Sequence, residues 1–184
     1  MAKKVKAHDP GGKVRLAVYA GATSTAEFGG KHNEYRYTLK RIWDEAKPHI
    51  LFVMMNPSTA DIDVDDPTVA KCGRLARKWG YGGLYVGNTF AYRATEQKRL
   101  LEVEDPVGPE NDRYLIEMAK DSDVVVFAYG TPVDKRLRAR GEQVARLLCE
   151  KASVTPQVLR LSKQGIPWHP LYLPETVVPV EWKL

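Results

Sequence analysis

Six apolar side chains in a row, Ile50-Leu51-Phe52-Val53-Met54-Met55, stop abruptly at Asn56-Pro57-Ser58-Thr59. A run this short, without polar alternation, fits a strand covered on both faces, as in parallel sheets flanked by helices. Pro57 has no N–H to give a ladder and keeps Asn56 out of the helical region. The strand is therefore expected to end at Met55 or Asn56. Its polar groups then fall at the carboxyl end, which is where open parallel sheets bind ligands. An ordinary turn after a core strand is the plain alternative.

The rest of the chain repeats the pattern of buried strand and amphipathic helix. Asp66-Pro67 reads as an N-cap followed by proline at the first helical position. Val69, Cys72, Leu75, Ala76 and Trp79 then recur at helical spacing, with Lys71, Arg74, Arg77 and Lys78 on the other face and Gly80 at the C-cap. Further strands are expected near 84–88, 124–128 and 157–161. Helices are expected from Pro109 and over about Asp134 to Lys151. Upstream, Val14, Leu16 and Val18 alternate with Arg15 and Ala17, and Tyr35 to Leu39 suggests a partner strand, whereas Gly21 to Asn33 reads as loop. The prediction is one domain of class α/β, a three-layer α/β/α sandwich on a four-stranded parallel sheet, with an N-terminal antiparallel strand pair.

At 184 residues the chain is long enough to bury roughly 70% of its unfolded surface. No apolar run approaches the length of a membrane span, and the basic start, Met1 to Lys6, lacks the apolar core of a signal peptide. Residues 1 to 13 read as a loose arm. Two cysteines without metal-ligand spacing suggest a reducing cytoplasm. No Rossmann or P-loop fingerprint occurs, so no cofactor is called for.

The strand-end loops should share one rim. They carry Asn56-Pro57-Ser58, Asn88-Thr89-Phe90 and Tyr129-Gly130-Thr131-Pro132, with His169-Pro170 beyond the fourth strand. An Asn amide complements a nucleobase edge, Phe90 or Tyr129 supplies a face for a planar ring, and His169 could donate to a developing oxyanion. Turn capping by Asn and a structural role for a histidine beside proline are the plainer readings.

Two resemblances bear on these residues. Tyr35-Arg36-Tyr37, Asn56 to Asp61, Asp66-Pro67-Thr68 and His169 to Leu173 make residues 34 to 174 similar to a bacterial and phage family of unknown function, DUF1643-like. More distantly, four short motifs resemble the uracil-DNA glycosylase superfamily. They are Met54 to Ser58, Tyr85 to Asn88 with Arg93 downstream, Val125 to Gly130, and Trp168 to Leu171. That resemblance implies a glycosylase-like sheet and hydrolysis of an N-glycosidic bond. Asn56 would position the water, Asn88 would read the base and His169 would steady the leaving base, with Ser58 and Arg93 among the substrate contacts. Leu171-Tyr172 stands where such enzymes typically carry a serine. Two cysteines also fall short of the four that the iron-sulfur branches need.

The net charge of +5 favours a polyanionic partner. Lys135, Arg136, Arg138 and Arg140 follow the third strand and are candidates for phosphate contacts, with a solvated helix face as the plain alternative. A nucleic acid or nucleotide is thus the expected partner. Two rival functions stay open. Asp61, Asp63, Asp65 and Asp66 could hold Mg²⁺ for phosphoryl transfer or phosphate hydrolysis, or the chain could bind nucleic acid without catalysis.

Overall fold

The computed structural model describes residues 14–184; the expected arm, residues 1–13, lies outside the described residues. In chain order the elements are β1 (Leu16–Ala17), β2 (Thr23–Gly29), β3 (Tyr35–Ile42), β4 (His49–Met54), β5 (Val64–Asp65), α1 (Pro67–Lys78), β6 (Gly83–Asn88), α2 (Asn111–Lys120), β7 (Val124–Phe127), α3 (Arg138–Ala152), β8 (Pro156–Val158) and β9 (Val180–Glu181). Short 3₁₀ turns lie at Gln97–Leu101, Lys135–Leu137 and Pro170–Tyr172.

The apolar run is the middle of the sheet. β4 pairs in parallel with β6 on one edge and with β7 on the other, so Phe52 sits between Val86 and Val126. Its side chains alternate between two cores. Ile50, Phe52 and Met54 pack with Val69, Cys72 and Leu75 of α1, while Leu51 and Val53 pack with Leu115 and Met118 of α2 and Val144 and Leu148 of α3. One helix therefore covers one face and two cover the other, as the repeated strand–helix pattern requires.

The sheet differs from the expected one in extent. It has seven strands in the order β2-β3-β6-β4-β7-β8-β9. The four strands expected to be parallel do pair in parallel, but antiparallel strands extend both ends of the sheet. The fourth is shorter than expected, ending at Val158. The N-terminal pair also needs correction. β3 pairs with β2, cut from the stretch read as loop, while β1 pairs with β5 in a separate two-stranded sheet. β2 alternates exposed and half-buried residues at its outer end, so its small polar side chains leave little apolar signal.

A β-bulge interrupts the β2–β3 pairing. Glu27 faces Thr38 and Phe28 faces Arg36, leaving Tyr37 without a partner on β2. An inserted residue moves everything beyond it to the other face. Leu39 and Arg41 face the α1 side, while Lys40 lies over Tyr85 on the opposite side. Beyond the bulge it is Arg36 that reaches the α1 side, and Tyr37 stacks on Tyr114 of α2.

The helix start read from Asp66-Pro67 is present. The Asp66 carboxylate accepts from the Val69 N–H at 2.9 Å, and Pro67 opens α1. Gly80, with φ of +88°, follows the last turn. Replacing Asp66 with alanine is expected to lower stability by about 1 kcal/mol, and asparagine should retain most of the cap. Urea unfolding of the two variants beside the unaltered protein checks this.

Candidate active site at the carboxyl edge of the sheet

The chain runs from β4 through α1 to β6 on one side, then crosses back through α2 to β7 on the other. Strand order therefore reverses at β4, the place where open α/β sheets form a ligand crevice. A cavity of about 280 Å³ opens there, lined by Met54, Met55 and Asn56 from the end of β4, Val86 and Asn88 from β6, and Tyr129 after β7. Asp66, Thr68, Val69 and Cys72 form the α1 wall. Ser58, Ala94, Thr95, Gln97, His169, Leu171 and Arg36 complete the lining.

Asn56, Asn88, Ser58, Tyr129 and His169 are thus brought together as lining residues of one cavity. Phe90 and Arg93 do not line it. Phe90 belongs to the core under α2 and α3, because its backbone N–H is tied to the Met55 carbonyl and the chain folds inward. Arg93 bonds the Asn33 carbonyl through Nη1 and lies over the Phe28 ring. Tyr129 lines the cavity, but its ring is wedged against Gly141 of α3, where a Cβ would collide with it. Burial pushes its hydroxyl pKa upward.

Each polar lining residue is held by specific bonds. Asn56 Nδ2 donates to the carbonyls of Ala94 (2.7 Å) and Pro57 (3.2 Å), which fixes the amide and leaves Oδ1 as its spare acceptor. Asn88 is 2% exposed. Its Oδ1 accepts from Arg36 Nη2 at 3.4 Å, which leaves Nδ2 as a donor without a protein partner among the described residues. The turn carrying Asn88 is braced from below. Asn111 Nδ2 donates to the carbonyls of Asn88 and Thr89, Arg140 Nε donates to Thr89, and the Thr89 hydroxyl donates to Met55.

His169 sits where the tail returns to the sheet. Its Nδ1 accepts from the Leu171 N–H at 3.3 Å, so the neutral ring carries its proton on Nε2. Gly130, with φ of +73°, passes so close that an added Cβ would lie 3.1 Å from His169 Cβ. Burial lowers the His169 pKa, with Asp66 acting in the other direction. The tail beyond is tied to α1: Lys71 Nζ donates to the Leu173 carbonyl, Lys78 Nζ to the Glu175 carbonyl, and Arg74 pairs with the Glu175 carboxylate. The basic face of α1 is a tether for the segment that carries the histidine.

Of the basic run after β7, Lys135, Arg136 and Arg138 are exposed, and Arg136 pairs with Asp134 at 2.9 Å. Arg140 faces inward, held by Thr89 and Asp112. The run is linked to the cavity rim by the Val133 N–H, which donates to Gln97 Oε1.

The acidic loop is largely occupied. Asp65 accepts two bonds from buried Arg41, Asp66 caps α1, and Asp61 accepts from the N–H groups of Asp63 and Val64. Among the described residues no group of three or more His, Cys, Asp or Glu side chains is disposed to hold a metal. No described helix is long and apolar enough to cross a membrane.

Arg36, Thr95 and Gln97 are among the polar lining residues that the sequence reading did not single out for the site. Arg36 is 2% exposed, and burial pulls its pKa down to about 10, partly opposed by Asp66. The fold and this cavity together define an α/β protein with a crevice at the carboxyl ends of its parallel strands, apolar over most of its lining and set with a few polar side chains. The chain belongs to the family described as "Protein of unknown function (DUF1643)", whose model matches residues 36–171. No curated protein and no solved structure matches the chain.

The tautomer of His169 gives a pH prediction. Its folded pKa lies below the ordinary value of about 6.5, so the native state binds fewer protons than the unfolded chain as pH falls through that value. Stability should therefore rise with pH between the folded pKa and about 6.5 and be insensitive to this group above it. An NMR titration of the ring should find its midpoint below that of an unfolded peptide. A midpoint at or above the peptide's contradicts the half-buried neutral ring.

Proposed function

We propose that this cavity takes a nucleobase, and that the protein handles nucleobases or nucleic acid as a glycosylase-like hydrolase of N-glycosidic bonds. The observation that carries the reading is that Asn56, Asn88 and His169, which come from distant parts of the chain, line one cavity at the strand-order reversal. Their order in the chain is also that of the motifs that resemble uracil-DNA glycosylases. The cavity volume of about 280 Å³ lies just below the usual range for ligand pockets, roughly 300–1,000 Å³, and suits a base better than a large cofactor.

The chemistry divides among the three side chains. Asn56 Oδ1 accepts an O–H of a water held against the sugar carbon. Asn88 Nδ2 donates to a carbonyl on the base edge; its Oδ1 already accepts from Arg36, so the edge it reads best is acceptor-rich. His169 Nε2–H donates to the oxygen on which negative charge gathers as the glycosidic bond breaks. Of the two aromatics expected to stack on the base, Tyr129 contributes to the wall and Phe90 supports the turn from the core. Lys135, Arg136 and Arg138 supply exposed charge for the backbone of a nucleic acid.

The test is release of free base from oligonucleotides carrying uracil and other altered bases, with and without a chelator. Asn88→Ala should weaken recognition of the base. His169→Ala should slow release by roughly 10²–10³-fold, the range for losing one transition-state donor, while binding changes little. Binding that survives both substitutions without any release marks a non-catalytic binding module. No release from any substrate, together with chelator-sensitive phosphate hydrolysis, would move the chemistry to the loop from Asp61 to Asp66.

A further inference from the structure

The cavity holds a cation that the proposed base chemistry does not use. Arg36 is 2% exposed, and its guanidinium meets only neutral oxygens, the Ala60 carbonyl at 2.6 Å and Asn88 Oδ1 at 3.4 Å. Its Nε is buried without a hydrogen-bond partner, and no carboxylate among the described residues forms an ion pair with it. Asp66 lines the same cavity but is engaged with the Val69 N–H. Neighbouring Arg41 shows the contrast, since it holds Asp65 at 2.8 Å.

A buried guanidinium normally carries a matched anion, because two parallel N–H groups fit the oxygens of a carboxylate or phosphate. The surrounding donors point the same way. Ser58 and Thr68 place hydroxyls on the same cavity wall, and the base chemistry leaves both unused. Asp66 is the strongest charge acting on Arg36, followed by the like charges of Arg93 and Arg41 and then by Asp61.

We propose that Arg36 seats a phosphate of the ligand, so that the compound bound is a nucleobase bearing a phosphate and not a free base or nucleoside. This rests on the base-binding reading above and names its substrate class. The phosphate could belong to a free nucleotide or to the 5′ end of a nucleic-acid strand, and the arms of one experiment separate the two.

The experiment is titration calorimetry of the full chain with the common nucleosides, their 5′-monophosphates, inorganic phosphate, and short single-stranded oligonucleotides with and without a 5′-phosphate. The monophosphate of the preferred base should bind about tenfold or more tighter than its nucleoside, the scale of a hydrogen bond to a charged group. Arg36→Gln should remove that difference, while Arg36→Lys should keep part of it. Because a buried arginine can be needed for folding, the comparison of nucleoside with nucleotide on the unaltered protein carries the test by itself. Preference for the 5′-phosphorylated oligonucleotide over the monophosphate assigns the seat to a strand end; the reverse assigns it to a free nucleotide. Equal affinity for nucleoside and nucleotide overturns the phosphate seat and leaves base binding standing. Phosphate and all nucleotides binding alike, with no affinity for nucleosides, supports the seat and overturns base recognition. No binding by any of the compounds overturns both.

Discussion

Burial of β4 on both faces and both edges is the constraint on which the rest of the molecule depends. Ile50 to Val53 are fully shielded, and the ladders to β6 and β7 use their backbone groups. Nothing polar can be presented along such a strand without leaving unpaired groups in the core. Chemistry is therefore confined to its end, where Pro57 stops the ladder. The pairing continues just far enough to lock that end in place: Thr89 and Phe90 donate to the carbonyls of Met54 and Met55, and Ala128 donates to Val53. The rim is an extension of the sheet, so Asn56 and Asn88 stand on rigid backbone.

Much of this was legible in the sequence because hydrophobic period and turn chemistry agreed. β4, β6, β7 and α1 each combine an uninterrupted or helical apolar pattern with a stop signal, and each lies close to where that pattern put it. β2 was illegible for the opposite reason. Thr23-Ser24-Thr25-Ala26-Glu27 is an edge segment whose stability comes from backbone pairing with β3, and no apolar stripe marks it. β1 was seen, but nothing in Leu16-Ala17 names its partner, since two-residue pairing with β5 depends on where the acidic loop returns.

The site divides along the same line. Asn56, Asn88 and His169 were legible because a polar residue at a strand end or beside Pro170 has few places to go. Phe90, Arg93 and Arg140 looked equally available, but the loop after β6 folds back under the rim and turns Phe90 and Arg93 inward, while Arg140 of α3 bonds the Thr89 carbonyl from below. Arg36 was invisible for a different reason. In a regular strand it would share a face with Thr38 and Lys40 and point away from α1. The bulge at Tyr37 reverses that, and only the register of β2 against β3 reveals it. One inserted residue decides whether the cavity contains a cation.

That placement is energetically expensive, which argues that it is not incidental. Removing a charge from water into a site where no carboxylate pairs with it directly carries an effective penalty of roughly several kcal/mol, even after relaxation. Two neutral oxygens return only part of it, and burial lowers the Arg36 pKa, with Asp66 acting in the other direction. A packed hydrophobic residue on β3 would avoid the penalty altogether. The same α1 that walls the cavity holds the tail through Lys71, Arg74 and Lys78, and so fixes His169 opposite the sheet. A base whose phosphate sits on Arg36 would meet groups already anchored on both sides: Asn88 by the β6 turn, and His169 by the tail bound to α1. Binding would then require little ordering of the protein, which is how a small cavity retains affinity for a ligand with few atoms.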